Sequence, residues 1–400
     1  MLRTLVLCFI LSINTCYAEV QPSGSSSLKV LITPPLNEDT NLNTYHIVGN
    51  FNNWSFNEPQ ASLLKFKSGK LATDLPLKGE LLFFTVVKNM NWEQLPATLA
   101  GKSVCTYMYD PEKDTAPLNI HIANWKSGET HKKLNSTASG DIRYHQDIDM
   151  PLLDRKTNIS VYLPSSYQNN LTKNYPVLYM LDGQNLFDAS TAYSDEWKID
   201  EILEQLTTTK KLPEIIVVGI DNGLKRWNEY NAWDFIGANG KKEKGLGKVT
   251  VSFIKNTLKP FIDTTYRTKV GTSSTGFSGS SLGGLMSIYV AMEHSDTFGF
   301  VAAFSPSLGV KNSENESVIE SALTSFKSKI PTKIYLDMGR MEYGNYDAIN
   351  NLHKMLLQKV TSVDNVKLIK DDLGRHCEID WSKRFPNALT WSLNTKTIYK

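Results

Sequence analysis

Cysteine is scarce in this chain: four residues in 400, at positions 8, 16, 105 and 377. That number excludes a disulfide-dense small scaffold, and no Cys/His spacing of the zinc-binding kind occurs. An excess of either charge is lacking too. The formal net charge is +2 at pH 7, from 43 Lys and Arg against 41 Asp and Glu, so the balance calls for no nucleic-acid or anionic-membrane partner. There is no phosphate-cradling P-loop and no Rossmann glycine fingerprint, and no metal or organic cofactor is expected. The leading apolar run, residues 5–13, is too short to span a bilayer. What is present suits folded cores: 41% of residues are hydrophobic and 10% aromatic. The length exceeds one small domain and suits two.

Residues 1–18 read as a signal peptide. Arg3 supplies the positive end, residues 5–13 the apolar stretch, and Cys16-Tyr17-Ala18 a small-x-small cleavage site, with Glu19 opening the mature chain. Lipid attachment at Cys16 fits less well, because Asn14 and Thr15 stand where small residues belong. The mature protein is therefore expected to be exported, periplasmic or secreted, with no transmembrane segment. Export leaves two cysteines, Cys105 and Cys377. Their pairing would join two separate domains; two buried free thiols are the alternative.

Residues 19–27 form a polar tether. Residues 28–125 then read as all-β: short runs such as Leu28-Lys29-Val30-Leu31-Ile32 and Tyr45-His46-Ile47-Val48-Gly49, punctuated by turns at Gly69 and Gly79, predict a β-sandwich. Residues 126–141 are a polar linker. From 142 to 400 the pattern changes. Continuous apolar strands at 176–181, 214–220, 298–304, 333–338 and 366–369 alternate with helical stretches at 197–206, 248–261, 285–293, 347–359 and 383–393. This predicts an α/β domain with a doubly wound, mostly parallel sheet.

Within that domain Gly279, Ser281 and Gly283 fit G-x-S-x-G, with strand-like residues before them and a helical run after. The pattern describes a nucleophile elbow, in which a strained serine is exposed between a strand and a helix. Glycines two residues to either side are expected because side chains there would collide across the turn. A serine that cleaves esters needs a base, a group that orients the base, and donors for the oxyanion. Three histidines follow Ser281. His294 ends the helix after the elbow and His353 lies inside a helix. His376 follows the last strand, in a loop that can reach back over the carboxyl edge of the sheet, and is the expected base. The backbone N–H of Leu282 is one expected oxyanion donor.

The run GFSGSSLGGLMSIYVA resembles the elbow of the putative-esterase family of α/β hydrolases, which includes enterochelin, feruloyl and acetyl xylan esterases, formylglutathione hydrolases and mycolyltransferases. ISVYLPSSY, PVLYMLDGQNLFD and VVGIDNG followed by Arg226, Glu229 and Tyr230 are similar to further segments of that family. The resemblance implies His376 as base, shortly before a Trp like Trp381. It also implies Glu342, three residues after a glycine, as the acid, and the amide of Gln184 as second oxyanion donor, with Gly183 allowing close approach. Asp337 and Asp347 stay open as acids, as does a Ser–His pair alone. Trp197 and Arg226 are substrate-pocket candidates, although an Arg226–Glu229 ion pair holding a loop is the plainer expectation.

YHIVGNFNNWS, FFTVVKNMNWEQL and NIHIANW resemble segments of glycogen- or starch-binding type, Ig-like modules fused to such esterases. By that resemblance Trp54 and Trp92 are candidates for stacking on sugar; both are equally expected as core or turn aromatics. The whole points to an exported serine carboxylic-ester hydrolase acting on acylated sugars, feruloyl or acetyl polysaccharide esters, or a siderophore ester, with a glycan polymer as a candidate partner of the first domain. Transfer of the acyl group to a sugar hydroxyl and a non-catalytic glycan-binding protein are the rival readings.

Overall fold

The computed structural model describes residues 27–35, 38–52, 55–56, 64–67, 69–77, 82–91, 94–97, 104–105, 107–109, 111, 114–125, 136–193, 195–208, 213–237, 240–343 and 345–393. The signal segment, Trp54, Trp92 and most of the expected linker lie outside them.

The amino-terminal strands are β1 (Ser27–Thr33), β2 (Tyr45–Gly49), β3 (Lys65–Lys67), β4 (Lys70–Pro76), β5 (Leu82–Lys88), β6 (Tyr107–Tyr109) and β7 (Leu118–His121). They make two small sheets, ordered β3-β4-β1-β7 and β2-β5-β6. Alternate residues of β1 (Leu28, Val30, Ile32) and of β5 (Leu82, Phe84, Val86) point into one shared core with Tyr45, Leu71 and Trp125, as the period-2 geometry of strands requires.

The second unit is built on β8 (Asp141–Met150), β9 (Arg155–Leu163), β10 (Val177–Leu181), β11 (Ile216–Ile220), β12 (Thr275–Ser280), β13 (Phe300–Phe304), β14 (Lys333–Gly339) and β15 (Val366–Asp371). These form one mixed sheet in the order β8-β9-β11-β10-β12-β13-β14-β15. The first two strands run antiparallel to their neighbours, and the other six are mutually parallel. Its helices are α1 (Ile199–Thr208), α2 (Arg226–Glu229), α3 (Gly247–Phe253), α4 (Lys259–Thr265), α5 (Leu282–Glu293), α6 (Val318–Ser325), α7 (Arg340–Tyr343), α8 (Asp347–Lys359) and α9 (Glu378–Ser392).

Both faces of the sheet are covered. Val177, Tyr179 and Leu181 of β10 join the core under α3 to α6 and α8. Leu178 and Met180 join the core under α1 and α9, with Trp197, Trp381 and Phe385. Strands buried on both faces read as unbroken apolar runs, which is why the sequence pattern marks them clearly. α5 is buried from Leu282 to Met292 and packs on β12 and β13. Strand order reverses between β10 and β12, so the crevice at their carboxyl ends is the place a ligand is expected. Two further contacts tie distant segments to this unit. Linker residues dock on a buried acidic cluster: Ser136 Oγ donates to Asp188, Thr137 Oγ1 to Glu196, and Ser139 N–H to Asp200 at 2.7 Å. Strand β5 of the amino-terminal unit packs against α7.

Candidate active site

Ser281 stands between β12 and α5 with φ 58° and ψ −121°, a conformation that residues with a Cβ rarely adopt. Backbone bonds hold it there. Its N–H donates to the Phe304 carbonyl at 2.9 Å, and its carbonyl accepts from Leu285 and Ser307, each at 3.0 Å. The two flanking glycines turn out to be unequal. A Cβ on Gly279 would come within 2.8 Å of the Gly283 backbone, whereas one on Gly283 would meet nothing closer than Leu181 at 3.6 Å. The collision expected at both positions is therefore confined to the first.

Three side chains from three chain segments meet at the serine. Ser281 Oγ lies 2.9 Å from His376 Nε2, and His376 Nδ1 lies 2.8 Å from Glu342 Oε2. A carboxylate only accepts, so Nδ1 carries the proton and Nε2 is left to accept from the serine hydroxyl. The Glu342 side chain is 1% exposed and that of His376 29%, so the carboxylate is sealed off while the imidazole stays partly open to solvent. Ser307 Oγ is a further neighbour, 3.1 Å from Ser281 Oγ.

Glu342 is aimed by groups that sequence reading missed. Its Oε1 accepts from Gly339 N–H at 2.7 Å and from Ser305 Oγ at 2.5 Å. Ser305 Oγ in turn accepts from Trp381 Nε1 at 2.8 Å and Arg384 Nη2 at 3.0 Å. Arg384, 4% exposed, reaches Asp337 and Asp371, each at 3.1 Å, and lies 3.8 Å from Glu342. Asp337 is thus bound into the support of the site: it accepts from Ser305 N–H at 3.1 Å, and burial pushes it up to about 7 against the pull of Arg384. The available signal was the arginine itself, a long basic side chain set among Trp381, Phe385 and Ala388, which are buried with it on α9. Asp347 stands exposed at the start of α8. His294 Nε2 meets Tyr289 Oη at 3.3 Å, and half-buried His353 stays within α8.

The loop after β10 faces the start of α5. Asp182 has φ 58°, and a Cβ on Gly183 would fall 2.5 Å from Ile220 N, so close approach to β11 requires glycine there. Leu282 opens α5 and Gln184 lies in the turn Gly183–Asn185; first-turn amides have no acceptor within their own helix. Gln184 is pinned by Thr191 Oγ1 on its carbonyl at 2.8 Å and by Asn222 N–H on its side chain at 3.2 Å.

Arg226 corrects an expectation. Its Nε and Nη2 each donate to Asp182 at 2.7 Å, while Glu229 takes Arg155, with Nη2 at 2.7 Å. The expected Arg226–Glu229 pair does not form, because the left-handed turn at Asp182 offers the guanidinium a bidentate carboxylate. Arg226 thereby braces the turn that carries Gln184. Trp197 is also corrected: 2% exposed, it stacks on Trp381 at 5.6 Å between ring centroids, and Trp381 meets His376 edge-on at 5.0 Å. It backs Trp381 from inside the core, out of reach of solvent. Two residues after His376, Glu378 accepts from Asn185 Nδ2 at 3.1 Å, and burial lifts it to about 7.

Among the described residues one set of carboxylates, Glu196, Asp200 and Glu201, is close enough together to share a cation; it includes none of Ser281, His376 and Glu342. No helix of the described residues is long and apolar enough to cross a membrane.

Comparisons with known proteins agree with this frame. The chain is 26% identical over 238 residues to the uncharacterised protein YbbA of Bacillus subtilis, covering 58% of this chain and 90% of that one. The enterobactin esterase FES of Shigella flexneri superposes with a TM-score of 0.54 at 14% identity, over 88% of each chain. The ferric enterobactin esterase of Salmonella typhimurium gives 0.52 at 15%, also over 88% of each. Likeness at such identity establishes the fold, an α/β-hydrolase type with a mixed central sheet. The profile of the family described as "Putative esterase" matches residues 151–391, more than half of the chain, and the protein therefore belongs to that family of ester hydrolases.

Proposed function

We propose that the protein is an exported serine carboxylic-ester hydrolase that works through an acyl-enzyme. The observation that carries this is the unbroken path from Glu342 through His376 to the strained Ser281, with contacts of 2.8 and 2.9 Å. In the first half-reaction Ser281 Oγ attacks the ester carbonyl and its proton passes to His376 Nε2. The amides of Leu282 and Gln184 receive the oxyanion, and Glu342 stabilises the imidazolium. The imidazolium then protonates the leaving alcohol. In the second half a water, deprotonated by His376, attacks the acyl carbonyl and releases the acid and the serine.

The substrate class is an acylated sugar, a feruloyl or acetyl polysaccharide ester, or a siderophore ester. Exposed apolar side chains of Tyr193 and Leu224, in the loops that follow β10 and β11, and of Trp227 in α2 offer a rim for an aromatic or acyl portion. A short-chain nitrophenyl ester assay tests the chemistry. Ser281→Ala is expected to lower turnover on the order of 10⁴-fold or more with the melting curve unchanged. Substantial residual turnover would remove Ser281 from the mechanism. An acylated-sugar panel with product analysis then separates free acid from acyl transfer to a hydroxyl.

A further inference from the structure

Cys105 and Cys377 are the only cysteines beyond residue 18, and they belong to the two different units of the fold. Cys105 precedes β6, beside Val104, whose N–H donates to the Pro96 carbonyl at 2.8 Å. Cys377 caps α9 and directly follows His376. Both stand as free thiols, Cys377 buried and Cys105 half-buried, and their side chains lie close enough for each to act on the other. The packing of β5 on α7 brings the same two units together at the helix that carries Glu342.

We propose that Cys105 and Cys377 close a disulfide that ties the amino-terminal sheets to the loop of His376. The role at His376 rests on the esterase reading; the bond itself does not. The roles of the two thiols follow from their surroundings. Contact with Cys377, and then the Arg375 guanidinium, hold Cys105 below its ordinary value, whereas contact with Cys105 and burial push Cys377 up. Cys105 is the half-open member of the pair and Cys377 the buried one, so Cys105 is the one a small oxidant reaches, and it attacks first, as its thiolate. It breaks the S–S bond of a small disulfide oxidant and expels one thiol. Cys377 then loses its proton and displaces the second thiol, closing Cys105 Sγ to Cys377 Sγ. Two electrons and two protons leave the protein with the reduced oxidant. An exported chain meets a compartment in which such a bond persists.

The test uses the full chain, incubated with glutathione disulfide and digested without reductant. A cross-linked peptide pair containing positions 105 and 377 is expected, lost on reduction and absent from Cys105→Ser and Cys377→Ser. Two alkylatable thiols, or stable glutathione adducts on either cysteine, would overturn the proposal. Reduction is further expected to lower the melting temperature by roughly 5–10 °C in the wild type and not in Cys105→Ser or Cys105→Ala. An equal response of wild type and variants counts against it. Because the digest and the melt need no substrate, an inactive preparation still shows whether the bond forms.

Discussion

At the scale of single residues, the site turns on which carboxylate faces the imidazole. Glu342 is buried with both oxygens bonded, one to His376 and the other to Ser305 and Gly339. Asp347 lies in the open, its N–H taken by Asn345 Oδ1 at 3.0 Å. The imidazolium exists mainly in the transition state, so loss of its counter-charge falls on kcat far more than on KM. Glu342→Gln is expected to lower kcat by up to about 10⁴-fold with KM nearly unchanged. Asp347→Asn is expected to cost no more than about 0.5 kcal/mol of stability, from the weaker helix N-terminal charge. Steady-state kinetics and thermal melts of the two variants check both halves. The reverse pattern would make Asp347 the acid, and a loss below about tenfold in both would leave a Ser281–His376 pair. Glu342 was visible in sequence only through its offset from Gly339. Ser305 and Arg384, which aim it, were not, because their importance lies in contacts across 37 and 42 positions.

At the scale of elements, the elbow separates two glycines that the motif treats alike. Gly279→Ala would drive a methyl to 2.8 Å from backbone that cannot retreat without moving Ser281. Gly283→Ala places its methyl in ordinary contact and replaces a helix glycine by a better helix former, a change worth up to about 1 kcal/mol in favour. The first variant is expected to be inactive or insoluble and the second folded and active. Solubility and nitrophenyl ester turnover distinguish them, and a fully active Gly279→Ala would show that the elbow relaxes more than its geometry allows. The helix after the elbow was legible as an apolar run because it is buried on every side. The turn carrying Gln184 was legible only by likeness, since backbone donors leave no side-chain signature. Its brace, Arg226 on Asp182, was misread because two charges three residues apart suggested a local pair.

At the scale of the whole molecule, the chain enters its second unit over the cluster of Asp188, Glu196, Asp200 and Glu201. Burial, and then the Glu201 carboxyl, raise Asp200 to about 8, well above the unfolded value of about 4. The folded state thus binds a proton that the unfolded chain releases. This contribution is complete below pH of about 4 and is lost as pH rises toward about 8. Asp200→Asn stays neutral throughout and keeps an acceptor for Ser139. Its melting temperature is expected to match the wild type near pH 4 and to exceed it near pH 8. A difference independent of pH between those limits would mean that Asp200 carries no raised ionisation.

Features written in local chemistry could be read from the order of residues. The alternating apolar strands and helices of the second unit, the G-x-S-x-G turn and a histidine in the loop after the last strand depend on neighbours a few residues apart, so composition and period carry them. Which distant groups meet is a different matter, settled when the elements pack. Glu342 faces the imidazole because β13, β14 and α9 converge on Ser305. Arg226 chooses Asp182 over Glu229 because a left-handed turn presents a fork-shaped acceptor. Trp197 lies behind Trp381 because strand alternation turns that side of the sheet toward α1 and α9. Cys105 and Cys377, far apart in sequence, are brought together as strand β5 of the amino-terminal unit packs against α7. Each is fixed by packing between segments far apart in sequence, where local pattern holds no record of the partner.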